Sequence, residues 1–199
     1  MNTKWEKLNE EIKSLYEQGH YNRAIVVAKK ALRVAERAVE PDHLTVAVSL
    51  NNLAGLYKTK GQYAQAVTLY ESALAINENE LSPDHPTVAT SLNNLARLYN
   101  DQGQYSQAEP LFKRALAIRE KALGPDHPDV ATSLNDLARL YDNQGLYAVA
   151  EPLFKRALEI REKARLGPLP LHIVGGGTDG PDNVDVAIDV VNTVLRLLG

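Results

Sequence analysis

The sequence predicts an all-α solenoid of four helical hairpins, and three recurrences predict it. The segment Ser91-Leu92-Asn93-Asn94-Leu95-Ala96-Arg97-Leu98-Tyr99 returns, little changed, from Ser49 to Tyr57 and from Ser133 to Tyr141, each copy 42 residues from the last. Gly19, Gly61, Gly103 and Gly145 recur with the same period, each followed two residues later by a tyrosine (Tyr21, Tyr63, Tyr105, Tyr147). Pro41-Asp42-His43, Pro83-Asp84-His85-Pro86 and Pro125-Asp126-His127-Pro128 form a third periodic series. A fixed repeat of this length marks stacked supersecondary units, each burying surface against its neighbours.

Each unit reads as two helices. Leu92, Leu95, Ala96 and Tyr99 stand at i, i+3, i+4 and i+7 and share one helical face. The glycine after that face suits a left-handed turn, and the tyrosine behind it opens the second helix. The prolines then stop the outgoing helix and allow a fresh start. In chain order, residues 3 to 18 carry Leu8, Ile12 and Leu15 at helical spacing as far as Gly19, and a second helix with Ala24, Ala28, Ala31 and Leu32 runs to Pro41. In register, Glu11 replaces Leu53 and Ile12 replaces Ala54, the drift expected of a terminal repeat with one solvent-facing side. The hairpins are expected at residues 3–40, 45–82, 87–124 and 129–165, within a solenoid of residues 1–165. Pro110 and Pro152 fall in the opening turns of second helices, where a missing donor is tolerated, and are read as structural.

Composition narrows the function. The 199 residues carry a formal charge of -3 with mixed signs, so no basic footprint for nucleic acid is present. With no cysteine, disulfides, thiol catalysis and thiolate metal sites are excluded. Met1 leads into Lys4, Glu6 and Lys7, and no apolar run suits a signal peptide or a membrane span. A cytoplasmic protein without membrane contact is therefore expected.

The order Leu92, Ala96, Tyr99, Gly103, Tyr105, Ala108, Phe112, Ala115 resembles the tetratricopeptide repeat, whose common form has about 34 residues. The longer unit, with Gly-Pro-Asp-His-Pro and Ser-Leu-Asn-Asn-Leu-Ala, is similar to the repeats of kinesin light chains and nephrocystin-like bacterial proteins. The resemblance covers residues 3–165. The proline that usually closes the shorter repeat is absent at Glu78 and Glu120, its role passing to Pro83 and Pro125, and no heptad coiled coil precedes the repeats, so a motor light chain is not implied.

The resemblance implies a right-handed α-α superhelix whose first helices line a concave groove. Carried over by position, the groove rows are Asn51, Asn93, Asn135; then Asn52, Asn94, Asp136; then Gly55, Arg97, Arg139; with Lys58, Asn100 and Asp142 one turn on. Asparagine offers a donor and an acceptor to the backbone of any extended peptide, and arginine suits carboxylates. The expected partner is thus a protein or an extended acidic or polar peptide. A second reading gives one asparagine of each pair to a neighbouring helix. The carboxylate clamp for chaperone tails is not reproduced, because the first repeat offers Asn9, Glu10 and Lys13. His43, His85 and His127 lie one repeat apart, a spacing of about 10 Å, which is too wide for one metal with ligands about 2 Å away. With no catalytic constellation, the expectation is a non-enzyme without metal or cofactor.

After Arg165 the pattern changes. Residues 166–199 are expected to form a tail with a short strand at 170–174, a glycine-rich loop at 175–181 and a helix at 182–198. The loop matches G-x-G-x-x-G, but no second parallel strand follows, and Asp179, Asp182 and Asp185 crowd the helix start where phosphate needs positive potential. Leu146 and Val149 replace glutamines of earlier repeats. They are expected to meet apolar tail residues such as Ile173, Ile188, Val191 and Leu195, from the same chain or from a second copy in a homo-oligomer. Ala-Glu-Pro-Leu-Phe-Lys-Arg-Ala-Leu stands unchanged at 108–116 and 150–158, which fits recent duplication or a designed protein. The alternative function is therefore a self-assembling or engineered module whose tail mediates oligomerisation.

Overall fold

The computed structural model describes residues 3–38 and 43–166. Among the described residues eight helices follow one another: α1 (Thr3–Glu17), α2 (Tyr21–Glu36), α3 (His43–Thr59), α4 (Tyr63–Glu80), α5 (Pro86–Asp101), α6 (Tyr105–Leu123), α7 (Pro128–Asn143) and α8 (Tyr147–Leu166). No strand occurs among the described residues. The expected tail elements, and with them Ile173, Ile188, Val191 and Leu195, lie outside the described residues.

Local chemistry sets the helix ends. Gly61 and Gly103 adopt φ values of 71° and 72°, where a side chain is strained. At the second of these turns the N–H of Gly103 bonds back to the Asn100 carbonyl (3.0 Å) and that of Gln104 to the Tyr99 carbonyl (2.8 Å), satisfying two ends of α5 before the chain reverses. The recurring histidines begin helices. His85 and His127 are N-caps with proline next in sequence, and their Nδ1 atoms accept from the backbone N–H of Thr87 and Asp129 at 3.1 Å. His43 instead pairs with Glu80 at 2.6 Å. Pro110 and Pro152 each occupy the sixth position of a continuous helix, one turn deeper than an N1 proline.

Small residues let the helices approach. Ala54, Ala66, Ala96, Ala108 and Ala138 are wholly buried, and larger side chains fill the spaces between them. Phe112 joins Ala96 of α5 to Leu137, Ala138, Leu140 and Tyr141 of α7, so one side chain ties two hairpins together. Val130, Ala131 and Leu134 of α7 pack on Ala157 and Ile160 of α8. α2 contacts α3, α4 contacts α5 and α6 contacts α7, which stacks the hairpins in sequence order.

A buried serine sits at the same place in three repeats and finds a different donor each time. Trp5 Nε1 donates to Ser49 (2.7 Å), Asn77 Nδ2 to Ser91 (2.8 Å) and Arg119 Nη1 to Ser133 (2.8 Å). Burial of such a hydroxyl is tolerated because the bond is made in every case. Arg119 also donates to the Asp129 carbonyl and to Thr90, both at 3.3 Å. Burial pulls its guanidinium below the usual arginine value, with the nearby Asp129 and Asp136 charges opposing.

Candidate functional site

Helices α1, α3, α5 and α7 are tied side by side by polar contacts, and these contacts identify the face they form. Asn52 Nδ2 donates to Asn9 Oδ1 (2.9 Å) between α3 and α1. Lys58 pairs with Asp101 (2.8 Å) between α3 and α5. Arg97 reaches from α5 to Asp136 of α7, with Nη2 at 2.6 Å and Nε at 3.1 Å from the same carboxylate oxygen.

The three polar rows have different fates. Asn93 is only 3 % exposed, and its amide points at Ser133 and Asp136 of α7, each at 3.4 Å. That amide joins the hairpins, and the Asn93 Oδ1, like that of Asn51, is enclosed without a partner. Its neighbour Asn94, one residue on and about 100° round the helix, is half-buried, and its side chain makes no hydrogen bond among the described residues. Asn135 is half-buried in the last first-helix, while Asn51 is half-buried with its Oδ1 enclosed and unpartnered. Arg97 is committed to Asp136, whereas Arg139 is exposed and has no ion pair among the described residues. Lys58 is screened by Asp101, so the positive charge free to meet a carboxylate on this stretch comes from Arg139.

Repeat two differs from the later repeats at two positions. Gly55 stands where Arg97 and Arg139 stand later, and Tyr70 where Phe112 and Phe154 do. A pocket of about 350 Å³ opens there between α1 and α3, lined by Asn9, Ile12, Lys13, Tyr16, Asn51, Asn52, Gly55 and Leu56. The Tyr70 hydroxyl comes within 3.6 Å of the position a Gly55 side chain would take. Burial pushes Tyr70 up to about 12; Arg97 opposes that, and Asp101 and Tyr16 add to it.

The end of the stack is also distinct. Leu146, Tyr147, Val149 and Leu158 are 45 %, 67 %, 46 % and 55 % exposed, whereas Tyr105 and Leu116, the counterparts of Tyr147 and Leu158, are half-buried. Among the described residues no cluster of His, Asp or Glu could hold a metal ion, and no helix is long and apolar enough to cross a membrane. Sequence reasoning missed the Arg97–Asp136 pair and the pocket. The first had a readable signal, since Asp136 stands where the two preceding repeats carry asparagine, Asn52 and Asn94.

Stacked two-helix units joined along both their first and second helices define a helical-repeat solenoid, a class of protein-interaction scaffold. The tetratricopeptide repeat model matches residues 8–79, 46–121 and 87–163, and the chain belongs to that family. No curated protein matches the chain. Among solved structures, the nearly identical TPR-like repeats of a kinesin-light-chain-type protein from Podosopora anserina superpose with a TM-score of 0.70 at 26 % identity, covering 87 % of this chain and 83 % of that one. BtubC from P. vanneervenii gives 0.56 at 20 % identity, over 88 % and 84 % of the two chains. Apo RapI gives 0.70 at 21 % identity, over 82 % of this chain and 57 % of its own. The last two share the fold.

Proposed function

We propose that this scaffold is non-catalytic and cytoplasmic and that it holds an extended acidic or polar peptide against the face of α3, α5 and α7. The observation that carries the reading is the set of accessible, uncommitted polar groups along that face: Asn94, Asn135 and the unpaired Arg139. Side-chain amides take a peptide backbone irrespective of its sequence, and a free guanidinium selects carboxylates. Asn52 adds an exposed amide whose oxygen is free, its nitrogen being shared with Asn9. The test is charge reversal at Arg139, with affinity for acidic peptides read by fluorescence anisotropy in low and high salt. Weaker binding with a smaller salt dependence supports the reading, and unchanged affinity refutes it.

A second reading is favoured by one observation, the apolar exposure at the end of the stack. In it the chain is a self-assembling or engineered module in which residues 166–199 mediate oligomerisation together with Leu146 and Val149. At the opposite end Glu11 and Ser14 of α1 are exposed where Leu53 and Leu56 are buried in α3, so that part of the first hairpin is polar. Light scattering on the full chain and on a version ending at Arg165 decides it. A larger species that becomes a monomer on truncation supports this reading, and two monomers refute it.

A further inference from the structure

The second helices of the later hairpins are joined across the stack by a ladder of ion pairs. Arg114 of α6 meets Glu78 of α4 at 2.6 Å, and Lys121, two turns on, meets Asp84 in the loop after α4. One repeat later Arg156 of α8 meets Glu120 at 2.6 Å, and Lys163 meets Asp126 at 3.5 Å. In both joints the cations stand seven residues apart on one helix, and the carboxylates belong to the preceding hairpin. Lys30 of α2 and Arg37, its C-cap, occupy the same two positions in the first hairpin. Both are exposed, and neither side chain makes an ion pair or a hydrogen bond among the described residues.

A third cation lies between them. Arg33 stands where α4 and α6 carry Ala75 and Ala117, so the stack itself does not require it. Its Nε donates to the Lys29 carbonyl at 3.2 Å, and its guanidinium makes no ion pair among the described residues. The three cations border a cavity of about 810 Å³ between α1 and α2, whose apolar lining is Leu8, Val34 and Ala38, all half-buried. Residues 21–38 hold five cations (Arg23, Lys29, Lys30, Arg33, Arg37) against one carboxylate, Glu36, in a chain whose net charge is -3. Positions seven apart on a helix are separated by about 10 Å, a span that one carboxylate cannot bridge and two on a second helix can. Exposed ion pairs contribute little singly, so the apolar lining has to share in holding an occupant. We propose that this groove docks an amphipathic helix of a partner protein, whose carboxylates two turns apart take the places that Glu78 and Asp84 hold in the ladder, with apolar side chains between them over Leu8 and Val34. None of these residues belongs to the face proposed for the extended peptide, and the occupant is recognised by the spacing of its charges.

The test selects helices with the full chain from a displayed library of amphipathic helical sequences. Those recovered should share Asp or Glu at i and i+7, with an apolar residue at i+3 or i+4. Lys30→Glu combined with Arg37→Glu should weaken them about tenfold in low salt, and the difference should shrink in high salt. Both side chains are exposed, so the double variant should melt with wild type. The same helices with their two acids changed to lysine should bind the double variant better than wild type, and Arg139→Glu should leave recognition of the original helices unchanged. Helices without the paired acids, helices that bind wild type and double variant alike, or recovery of none would overturn the proposal. Loss of binding on Arg139→Glu would place the helices on the peptide face and overturn it too. So would a full chain that self-associates in low salt and becomes monomeric in the double variant, because the groove then belongs to a second copy.

Discussion

Phe112 and Phe154 occupy the same position in identical nine-residue segments, and only one of them is followed by another repeat within the described residues. This makes them a matched test of how much the stacking of hairpins contributes. Phe112 is 1 % exposed and enclosed by α5, α6 and α7. Phe154 is half-buried, packed at the edge of that same cluster. Truncating a fully enclosed phenylalanine to alanine costs about 3–5 kcal/mol, part from lost transfer energy and part from the cavity. Phe112→Ala should fall in that range. Phe154 has one side already in contact with water, so less surface is lost and solvent can enter the space; its truncation should cost about half as much. Urea unfolding of the full chain, followed by circular dichroism and with m-values compared, measures both. Costs for the two that agree within about 0.5 kcal/mol would refute the reasoning that the next hairpin supplies the difference.

Other outcomes follow from the same structure. Gly103→Ala should lower stability by about 1–2 kcal/mol because φ is +72° there, whereas Gly55→Ala should raise it by up to about 1 kcal/mol; thermal melts of the two give opposite signs if the backbone argument holds. Arg119→Ala leaves buried Ser133 with only the longer contact from Asn93 (3.4 Å) and should cost about 2–3 kcal/mol, while Arg161→Ala, at the exposed equivalent in α8, should stay within about 0.5 kcal/mol. Tyr70 binds its proton more tightly folded than unfolded, so the stability this gives is present below pH 10 and lost as pH rises from about 10 to about 12. Alkaline titration should therefore show a loss of about 2–3 kcal/mol that Tyr70→Phe removes.

Charge reversal at Arg97 is a poorer probe of ligand binding than reversal at Arg139. It sets a second carboxylate beside Asp136, only 6 % exposed, and so disturbs the joint between hairpins as well as the face. The distinction comes from the ion pair and cannot be read from the repeat alignment, in which the two arginines look equivalent.

The sequence alone determined that this chain is a stack of helical hairpins. Its determinants act over short distances: a 3.6-residue apolar rhythm, a glycine that takes a positive φ, a proline that cannot continue a helix. Each repeats with the period of the unit, so Tyr21, Tyr63, Tyr105 and Tyr147 open α2, α4, α6 and α8. Which polar groups remain for a partner was decided by tertiary structure. Asn93 and Asn94 are neighbours of the same type, and nothing local separates them. The side on which α7 docks does, burying the first and leaving the second accessible. Arg97 loses its free charge to a carboxylate 39 residues away. Gly55 reads in sequence as a blank in a row of arginines, and only the spacing of α1 and α3 turns that blank into a pocket. A residue's own conformation is set by its near neighbours in the chain, but its availability is set by whatever the fold brings against it.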